Sequence, residues 1–154
     1  MRRRRPLIAT LVLAVLAWGG GAHATARHAA MVIDANSGRV LHAKAADEPR
    51  YPASLTKMMT LYMAFELIDA GRLSYNSRIK ISQEAASVAP SKLDLEPGES
   101  IVLIDAIKAL VTKSANDIAV AVAEHIGGSE ANFARLMTNK ARQIPSRRQP
   151  RATC

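Results

Sequence analysis

The 154-residue sequence predicts an α+β protein in which a short N-terminal β-hairpin precedes a lobe built mainly of helices. Three observations support this prediction. Two strand-like segments between residues 29 and 44 enclose a run of turn-forming residues. From residue 54 onward, apolar residues recur at helical spacing in successive segments. The single cysteine, Cys154, leaves no partner for an internal disulfide, so a packed core must stabilise the fold.

The first 24 residues have the composition of a secretion signal. A basic start, MRRRRP, is followed by the apolar stretch LIATLVLAVLAWGGG and by AHA at positions 22–24, a small-x-small cleavage pattern. The apolar stretch is shorter than the ~20 residues that span a bilayer, and an uncleaved anchor is the alternative. We therefore expect residues 1–24 to be a signal peptide, and the protein to be exported to the periplasm or cell envelope with a possible membrane association.

The net charge of +8 comes from the two ends of the chain. Residues 25–144 carry 14 of the 21 lysines and arginines and all 13 acidic residues, so the body is nearly neutral. It contains no basic stripe with interleaved aromatic residues. We expect no nucleic-acid partner.

The elements follow in order along the chain. AMVID and RVLHAK read as strands joined by ANSG, and polar residues 43–53 read as a loop. Helical periodicity then runs from Ser54 to Ala70, with Gly71 as a C-cap. RIKIS reads as a strand, QEAASVA as a helical turn and PSKLDLEPGES as a loop. Three further helices are predicted, one from Leu103, one over NDIAVAVAEHIGG and one capped by Ser129.

The stretch YPASLTKMMT, residues 51–60, places a hydroxyl three residues before an amine. Residues i and i+3 of a helix share a face, so Ser54 and Lys57 are expected to lie together. A buried lysine can become neutral and accept the serine proton, which activates the nucleophile. Backbone N–H groups at the predicted helix N-terminus would favour a developing negative charge. The alternative is that Ser54 caps the helix and Lys57 is solvated.

A second polar cluster, KSAND at residues 113–117, lies between two predicted helices. Ser114 and Asn116 could project in the same direction and hydrogen-bond a neutral lysine, a substrate amide and a leaving group. The alternative is that Asn116 or Asp117 caps the following helix. Neither S-x-x-K nor S-x-N is specific by itself, so the residues alone leave both alternatives open.

Taken in order, S-x-x-K and S-x-N resemble the signature of penicillin-recognising serine enzymes. The surrounding strings VIDANSGRVLHAKAADEPRYPASLTKMMT and PGESIVLIDAIKALVTKSANDIAVAVAEHIGGSEANFARLMTNKA are similar to D-alanyl-D-alanine carboxypeptidases, the low-molecular-mass penicillin-binding proteins of the S11 peptidase type. The resemblance runs from about Ala29 to Ile144. It implies a β-lactamase/transpeptidase-like fold, of which residues 25–144 form a partial serine-type carboxypeptidase domain.

The resemblance also implies roles for the matched residues. Ser54 would attack the bond between the two D-alanines of a peptidoglycan pentapeptide and form an acyl-enzyme, and Lys57 would take its proton. Ser114 would help pass a proton to the departing D-alanine, and Asn116 would bind the substrate amide and orient Lys57. β-Lactam antibiotics would be covalent inhibitors at Ser54. No cofactor is implied, and the four histidines, at positions 23, 28, 42 and 125, lack metal-ligand spacing, so we expect no metal.

The third motif of the family, Lys-Thr-Gly, does not occur in these 154 residues. The resemblance implies that it lies on a strand that supplies an oxyanion-hole N–H and binds the substrate carboxylate. We therefore expect the C-terminal part of the sheet to be missing and the activity of this chain to be weak or absent. Residues 145–154, PSRRQPRATC, are expected to be an aberrant disordered tail that follows a frameshift or truncation at Ile144.

Two other functions remain open at this point. A class A-like β-lactamase also needs S-x-x-K and an S-D-N-like motif, although alanine follows Ser114 here. A non-catalytic exported helical protein that binds a partner through an apolar face is the alternative from a different class. Rapid β-lactam turnover would indicate the first, and a folded protein that never reacts with penicillin would indicate the second.

Overall fold

The computed structural model describes residues 28–144. The predicted signal peptide and the predicted disordered tail, residues 145–154, lie outside the described residues and stay predictions. The described chain divides into two compact units, one ending at Tyr51 and the other beginning at Pro52. Between residues 28 and 144, none of the helices has both the length and the apolar character that a bilayer crossing requires.

The first unit contains the predicted hairpin. Strand β1 (Ala30–Ile33) pairs antiparallel with strand β2 (Val40–Lys44), with a β-bulge near the turn. The turn closes where the Asp34 N–H donates to the Arg39 carbonyl over 2.8 Å. Gly38 adopts a φ of +66°, which a glycine reaches without steric cost. The hairpin prediction is confirmed.

The second unit contains five helices and a small sheet among the described residues. In chain order its elements are a 3₁₀ turn (Ala53–Leu55), α1 (Thr56–Asp69), β3 (Arg78–Lys80), α2 (Gln83–Ser87), β4 (Ser100–Val102), α3 (Leu103–Thr112), α4 (Asn116–Gly127) and α5 (Glu130–Gln143). The predicted helices and the predicted strand at RIKIS are confirmed. Ser129 caps α5 as predicted, because its hydroxyl accepts the Asn132 N–H over 3.2 Å.

Two details differ from the sequence prediction. No strand was predicted between the loop PSKLDLEPGES and the helix from Leu103, but Ser100–Val102 form β4, which pairs antiparallel with β3. The first long helix begins at Thr56 rather than Ser54, because the preceding residues form a tighter 3₁₀ turn. Its C-cap is Ala70, and the predicted cap Gly71 follows with a φ of +68°.

Helix α4 lies at the centre of the core. It packs against α1, α2, α3, α5 and β3, and its side chains are buried on nearly every side. A helix that is apolar nearly all round is expected in the interior rather than at the surface. A smaller cluster joins three helices through Met63 of α1, Ala123 of α4 and Phe133 of α5. Helix α4 therefore packs directly against α1 and α5.

Candidate active site

The 3₁₀ turn before α1 presents Ser54. Its first residue, Ala53, has a φ of +49°, and the Leu55 N–H donates to the Pro52 carbonyl over 3.1 Å. Side chains at i and i+3 are eclipsed in a 3₁₀ turn, whereas they are ~60° apart around an α-helix. Ser54 lies in this turn, whereas Lys57 lies one residue inside α1. Ser54 is exposed.

Lys57 is a half-buried side chain near the start of α1. Its Nζ donates to Asn116 Oδ1 over 2.7 Å and to Ser114 Oγ over 3.2 Å. Burial lowers the pKa of Lys57 from its ordinary value, because desolvation disfavours the ammonium form. The predicted contact of an amine with the hydroxyl and carboxamide of the KSAND segment is thus present in the structure.

The carboxamide of Asn116 has only one orientation that satisfies its partners. Its Nδ2 donates to the Ala89 carbonyl over 2.9 Å, and a carbonyl oxygen can only accept. The Oδ1 atom is therefore the one that faces the Lys57 amine. Asn116 is the first residue of α4, as the capping alternative predicted, but its side chain does not cap the helix, because the N-cap is Ala115 and no side-chain cap hydrogen bond is formed.

Ser114 lies in the turn between α3 and α4 with a φ of +55°. For a residue with a Cβ atom this conformation costs of order 1–3 kcal/mol, and such residues cluster at functional sites. Ala53, beside the Ser54 position, has the same kind of backbone conformation. Residues with this backbone conformation therefore occur shortly before α1 and shortly before α4.

Ser54 is less closely connected than the other three candidate residues. Lys57, Ser114 and Asn116 are joined by hydrogen bonds, whereas the Ser54 hydroxyl makes none within residues 28–144. The alternative that Ser54 caps the helix is also wrong, because Leu55 is the N-cap and α1 has no side-chain cap. A neutral amine has two hydrogens and one lone pair. If the hydrogens point to Ser114 and Asn116, the lone pair remains free to accept a proton.

A cavity of about 380 Å³ opens beside the Lys57 amine. Lys57 and Asn116 line it together with apolar side chains from α4 and α5, which include Val120, Phe133 and Met137. A mainly apolar cavity with a few polar groups is typical of a small-molecule site. The low-polarity surroundings are also the physical cause of the lowered Lys57 pKa.

Sequence reasoning gave Asp117 no role other than a possible cap. Asp117 is fully buried, and its carboxylate accepts hydrogen bonds from backbone N–H groups of residues 93 and 94. One signal was available: Asp117 lies four residues before Ala121, on the face of α4 that the apolar pattern predicts to be buried. A carboxylate on such a face requires partners.

Comparison with known proteins gives consistent matches over this part of the chain. A family model described as Peptidase_S11, D-alanyl-D-alanine carboxypeptidase, matches residues 20–145. The D-alanyl-D-alanine carboxypeptidase DacF of Bacillus subtilis is 37% identical over 115 residues, which are 75% of this chain and 30% of that protein. The chain thus spans about 30% of the length of the curated relatives that it matches.

Solved structures confirm the predicted fold class. The D-alanyl-D-alanine carboxypeptidase DacD from Francisella tularensis is 35% identical with a TM-score of 0.73, over 81% of this chain and 30% of that chain. Penicillin-binding protein D2 from Listeria monocytogenes, in its ampicillin-bound form, is 28% identical with a TM-score of 0.65, over 75% of this chain and 45% of that chain.

Proposed function

Because the chain belongs to the peptidase S11 family of D-alanyl-D-alanine carboxypeptidases, we propose that its site removes the terminal D-alanine of peptidoglycan pentapeptides through an acyl-enzyme. The observation that carries the proposal is the Lys57 amine, which donates both to Ser114 and to Asn116 and has a lowered pKa. A lowered pKa increases the neutral fraction of the amine, which is the form that can accept the serine proton in acyl transfer.

Acylation begins when Ser54 Oγ attacks the carbonyl carbon between the two D-alanines. The proton of the hydroxyl moves to the free lone pair of Lys57, and the negative charge moves to the carbonyl oxygen. The peptide C–N bond then breaks, and Ser114 passes a proton from Lys57 to the departing amine. The product of this half-reaction is an ester between Ser54 and the shortened peptide, which water hydrolyses.

Asn116 contributes in two ways to this proposal. Its Oδ1 holds the Lys57 amine, since a lysine side chain with four methylenes would otherwise sample many rotamers. Its carboxamide also lies at the wall of the cavity, where it can hydrogen-bond the backbone amide of a bound peptide. Ser114 is the only other hydrogen-bond partner of the Lys57 amine in residues 28–144, which supports its place in the proton path.

β-Lactam antibiotics are proposed as covalent inhibitors of the same serine. The Listeria monocytogenes relative has been solved in ampicillin-bound and cefotaxime-bound forms. Attack of Ser54 on the ring amide would open the ring, but the amine stays attached to the acyl group and cannot leave. We further propose that the enzyme acts in the periplasm or cell envelope, with a possible membrane association, because its polymeric substrate lies there.

Labelling with a fluorescent penicillin tests the proposal on the 154-residue chain. We expect a covalent band that is lost in Ser54→Ala and kept in Ser87→Ala, a matched control whose hydroxyl is exposed and donates only to the Glu84 carbonyl. Circular dichroism of each variant shows whether it is folded. A band of equal intensity in Ser54→Ala would contradict the proposal.

The same assay decides between the remaining alternatives. A label that forms and is then hydrolysed within seconds would indicate a β-lactamase. A folded wild-type chain that never becomes labelled would indicate the non-catalytic binding protein. The expectation that activity is weak or absent stays a prediction, and the rate of labelling measures it directly.

A further inference from the structure

Asp117 is the fully buried carboxylate directly after Asn116 in the first turn of α4. Its Oδ2 accepts the Leu93 N–H over 2.8 Å and the Asp94 N–H over 3.1 Å. Its Oδ1 accepts the Ile118 N–H over 2.8 Å. Three backbone donors therefore converge on one carboxylate, and two of them come from a segment more than twenty residues earlier in the chain.

A buried carboxylate is destabilising unless hydrogen bonds replace its hydration. Among the ion pairs of residues 28–144 none involves Asp117, so backbone N–H groups and the N-terminal end of the α4 dipole supply the compensation. Such charge-assisted hydrogen bonds are roughly twice as strong as neutral ones. The carboxylate thus holds residues 93 and 94 firmly against the start of α4.

The segment that Asp117 holds also contacts Asn116. The Ala89 carbonyl accepts the Asn116 Nδ2 hydrogen bond over 2.9 Å, and the Ser91 carbonyl accepts the Asn116 backbone N–H over 2.6 Å. The Ser91 hydroxyl donates to the Lys113 carbonyl over 2.9 Å. We call residues 89–94 the Asn116-facing segment.

We propose that Asp117 is a positioning residue. The catalytic consequence of this role rests on the proposed function. By fixing the Asn116-facing segment, Asp117 keeps the Ala89 carbonyl where it orients the Asn116 carboxamide, so that Oδ1 faces the Lys57 amine. Without this constraint the carboxamide can rotate and the Lys57 amine loses its shorter hydrogen bond. Ala89 also lines the cavity, so the same constraint fixes part of its wall.

The backbone of the segment supports this assignment. Asp94, one of the two residues whose N–H groups reach Asp117, has a φ of +62°. Positive φ is uncommon outside glycine, although Asp adopts it more readily than most residues, and contacts at its backbone help to hold it. The Asp94 N–H donates to the Asp117 carboxylate, and this hydrogen bond helps to hold the Asp94 backbone in its conformation.

The test compares Asp117→Asn with Asp105→Asn in the full chain. Asn has nearly the shape of Asp, but it is uncharged and keeps only one acceptor oxygen, so its side chain can no longer accept from the three backbone N–H groups that two carboxylate oxygens now share. Asp105 is the matched control, because it also lies in the first turn of a helix and only makes an exposed ion pair with Lys108. We expect the acylation rate with fluorescent penicillin to fall about ten- to a hundredfold in Asp117→Asn, as for a misplaced catalytic group. In Asp105→Asn it should stay within about twofold.

A second readout does not depend on activity. In the wild-type chain the side-chain NH₂ resonances of Asn116, assigned by their loss in Asn116→Asp, should be shifted and slow to exchange because one hydrogen is bonded to Ala89. In Asp117→Asn we expect them to move to the position of a solvated amide, and the backbone amide of Leu93 to lose its protection. Ser91→Ala removes a different contact of the same segment at an exposed site. It should give a smaller shift in the same direction, and it keeps the test decisive if Asp117→Asn does not fold.

The two readouts separate the possible failures. Unchanged Asn116 resonances in both Asp117→Asn and Ser91→Ala would overturn the positioning role, as would an Asp117→Asn variant that loses thermal stability yet acylates at the wild-type rate. If the wild-type chain never acylates, the proposed function fails, and the Asn116 resonances still decide whether Asp117 orients that carboxamide.

Discussion

Lys57 and Asn116 are 59 positions apart in the sequence, and the Lys57 amine donates to the Asn116 carboxamide over 2.7 Å. The contact joins the start of α1 to the start of α4, the central helix of the core. Because α4 is buried on nearly every side, the carboxamide has little freedom to follow a moving lysine. The amine therefore takes its position from Asn116, and changes at residue 116 should alter the protonation of Lys57.

Replacing Asn116 by aspartate is expected to slow acylation at neutral pH. A carboxylate 2.7 Å from the amine would favour the ammonium form and raise the pKa of Lys57, so less neutral base would be available. The acidic limb of the rate profile should move to higher pH by about one unit or more. Asn116→Ala is the comparison, because it removes the contact without adding charge. A profile for Asn116→Asp that coincides with that of Asn116→Ala would contradict this explanation.

The wild-type chain should show a pH dependence that Lys57 controls. Burial lowers the folded-state pKa of Lys57 from 10.5, so acylation should rise with pH through that lowered value. Between the two pKa values the unfolded chain binds a proton that the folded chain does not. The free energy of unfolding therefore rises with pH in this window and levels off above about 10.5. Urea titrations at several pH values measure this slope.

Lys57→Met is the matched variant for that experiment, since it keeps the length and apolar stem of the side chain. We expect it to abolish acylation and to lose the part of the stability increase that lies below pH 10.5. Lys108→Met, at an exposed position on α3, should keep both. An identical pH slope in wild type and Lys57→Met would show that Lys57 is not desolvated.

The sequence predicted the helices well, because they depend on local spacing. The roles of the candidate site residues stay predictions. The i, i+3 spacing of Ser54 and Lys57 fits a 3₁₀ turn as well as an α-helix, so the tighter turn could not be distinguished. Strand β4 was missed because its three residues run directly into α3, and its apolar residues continue the helical pattern. Its pairing with β3 is decided by a partner some twenty residues away.

The interactions that orient the candidate site were less predictable. The residues alone suggested only that Asn116 could hydrogen-bond a lysine. That this lysine is Lys57 was implied by the resemblance to a known family, because no local rule brings together residues 59 positions apart. The partners of Asp117 are backbone N–H groups, which every non-proline residue possesses, so they leave no mark in the sequence. Only the burial of that carboxylate could have been inferred from the pattern of α4.

The ion pair between Glu66 of α1 and Lys140 of α5 is expected to contribute little to stability. The two groups approach to 2.7 Å, and the Glu66 side chain is 45% exposed. A double-mutant cycle with Glu66→Gln and Lys140→Met should give a coupling free energy of about 0.2–1 kcal/mol that decreases with added salt. A coupling that is well above this range and insensitive to salt would show that the pair is buried more deeply in solution. Urea unfolding of the four proteins provides the measurement.

Gly127 marks the closest approach of α4 and α5, and a methyl group there should be strongly destabilising. A Cβ atom at this position would lie 2.8 Å from Phe133 Cβ and 2.9 Å from the Phe133 backbone N. Backbone atoms cannot rotate away, so α5 would have to shift, at a cost of about 1–3 kcal/mol. Phe133 lines the cavity beside Lys57, and Gly127→Ala should therefore also slow acylation.

Gly128→Ala is the control for this steric explanation. At Gly128 the φ of +75° disfavours alanine, but no atom lies within 4 Å of the added methyl group. We expect it to lower the free energy of unfolding by about 1–2 kcal/mol through its backbone alone, and to leave the acylation rate of the folded protein unchanged. If Gly127→Ala and Gly128→Ala reduced stability equally and neither altered acylation, the close contact with Phe133 would have no influence on the cavity, and the position of α5 would not matter to the Lys57 site.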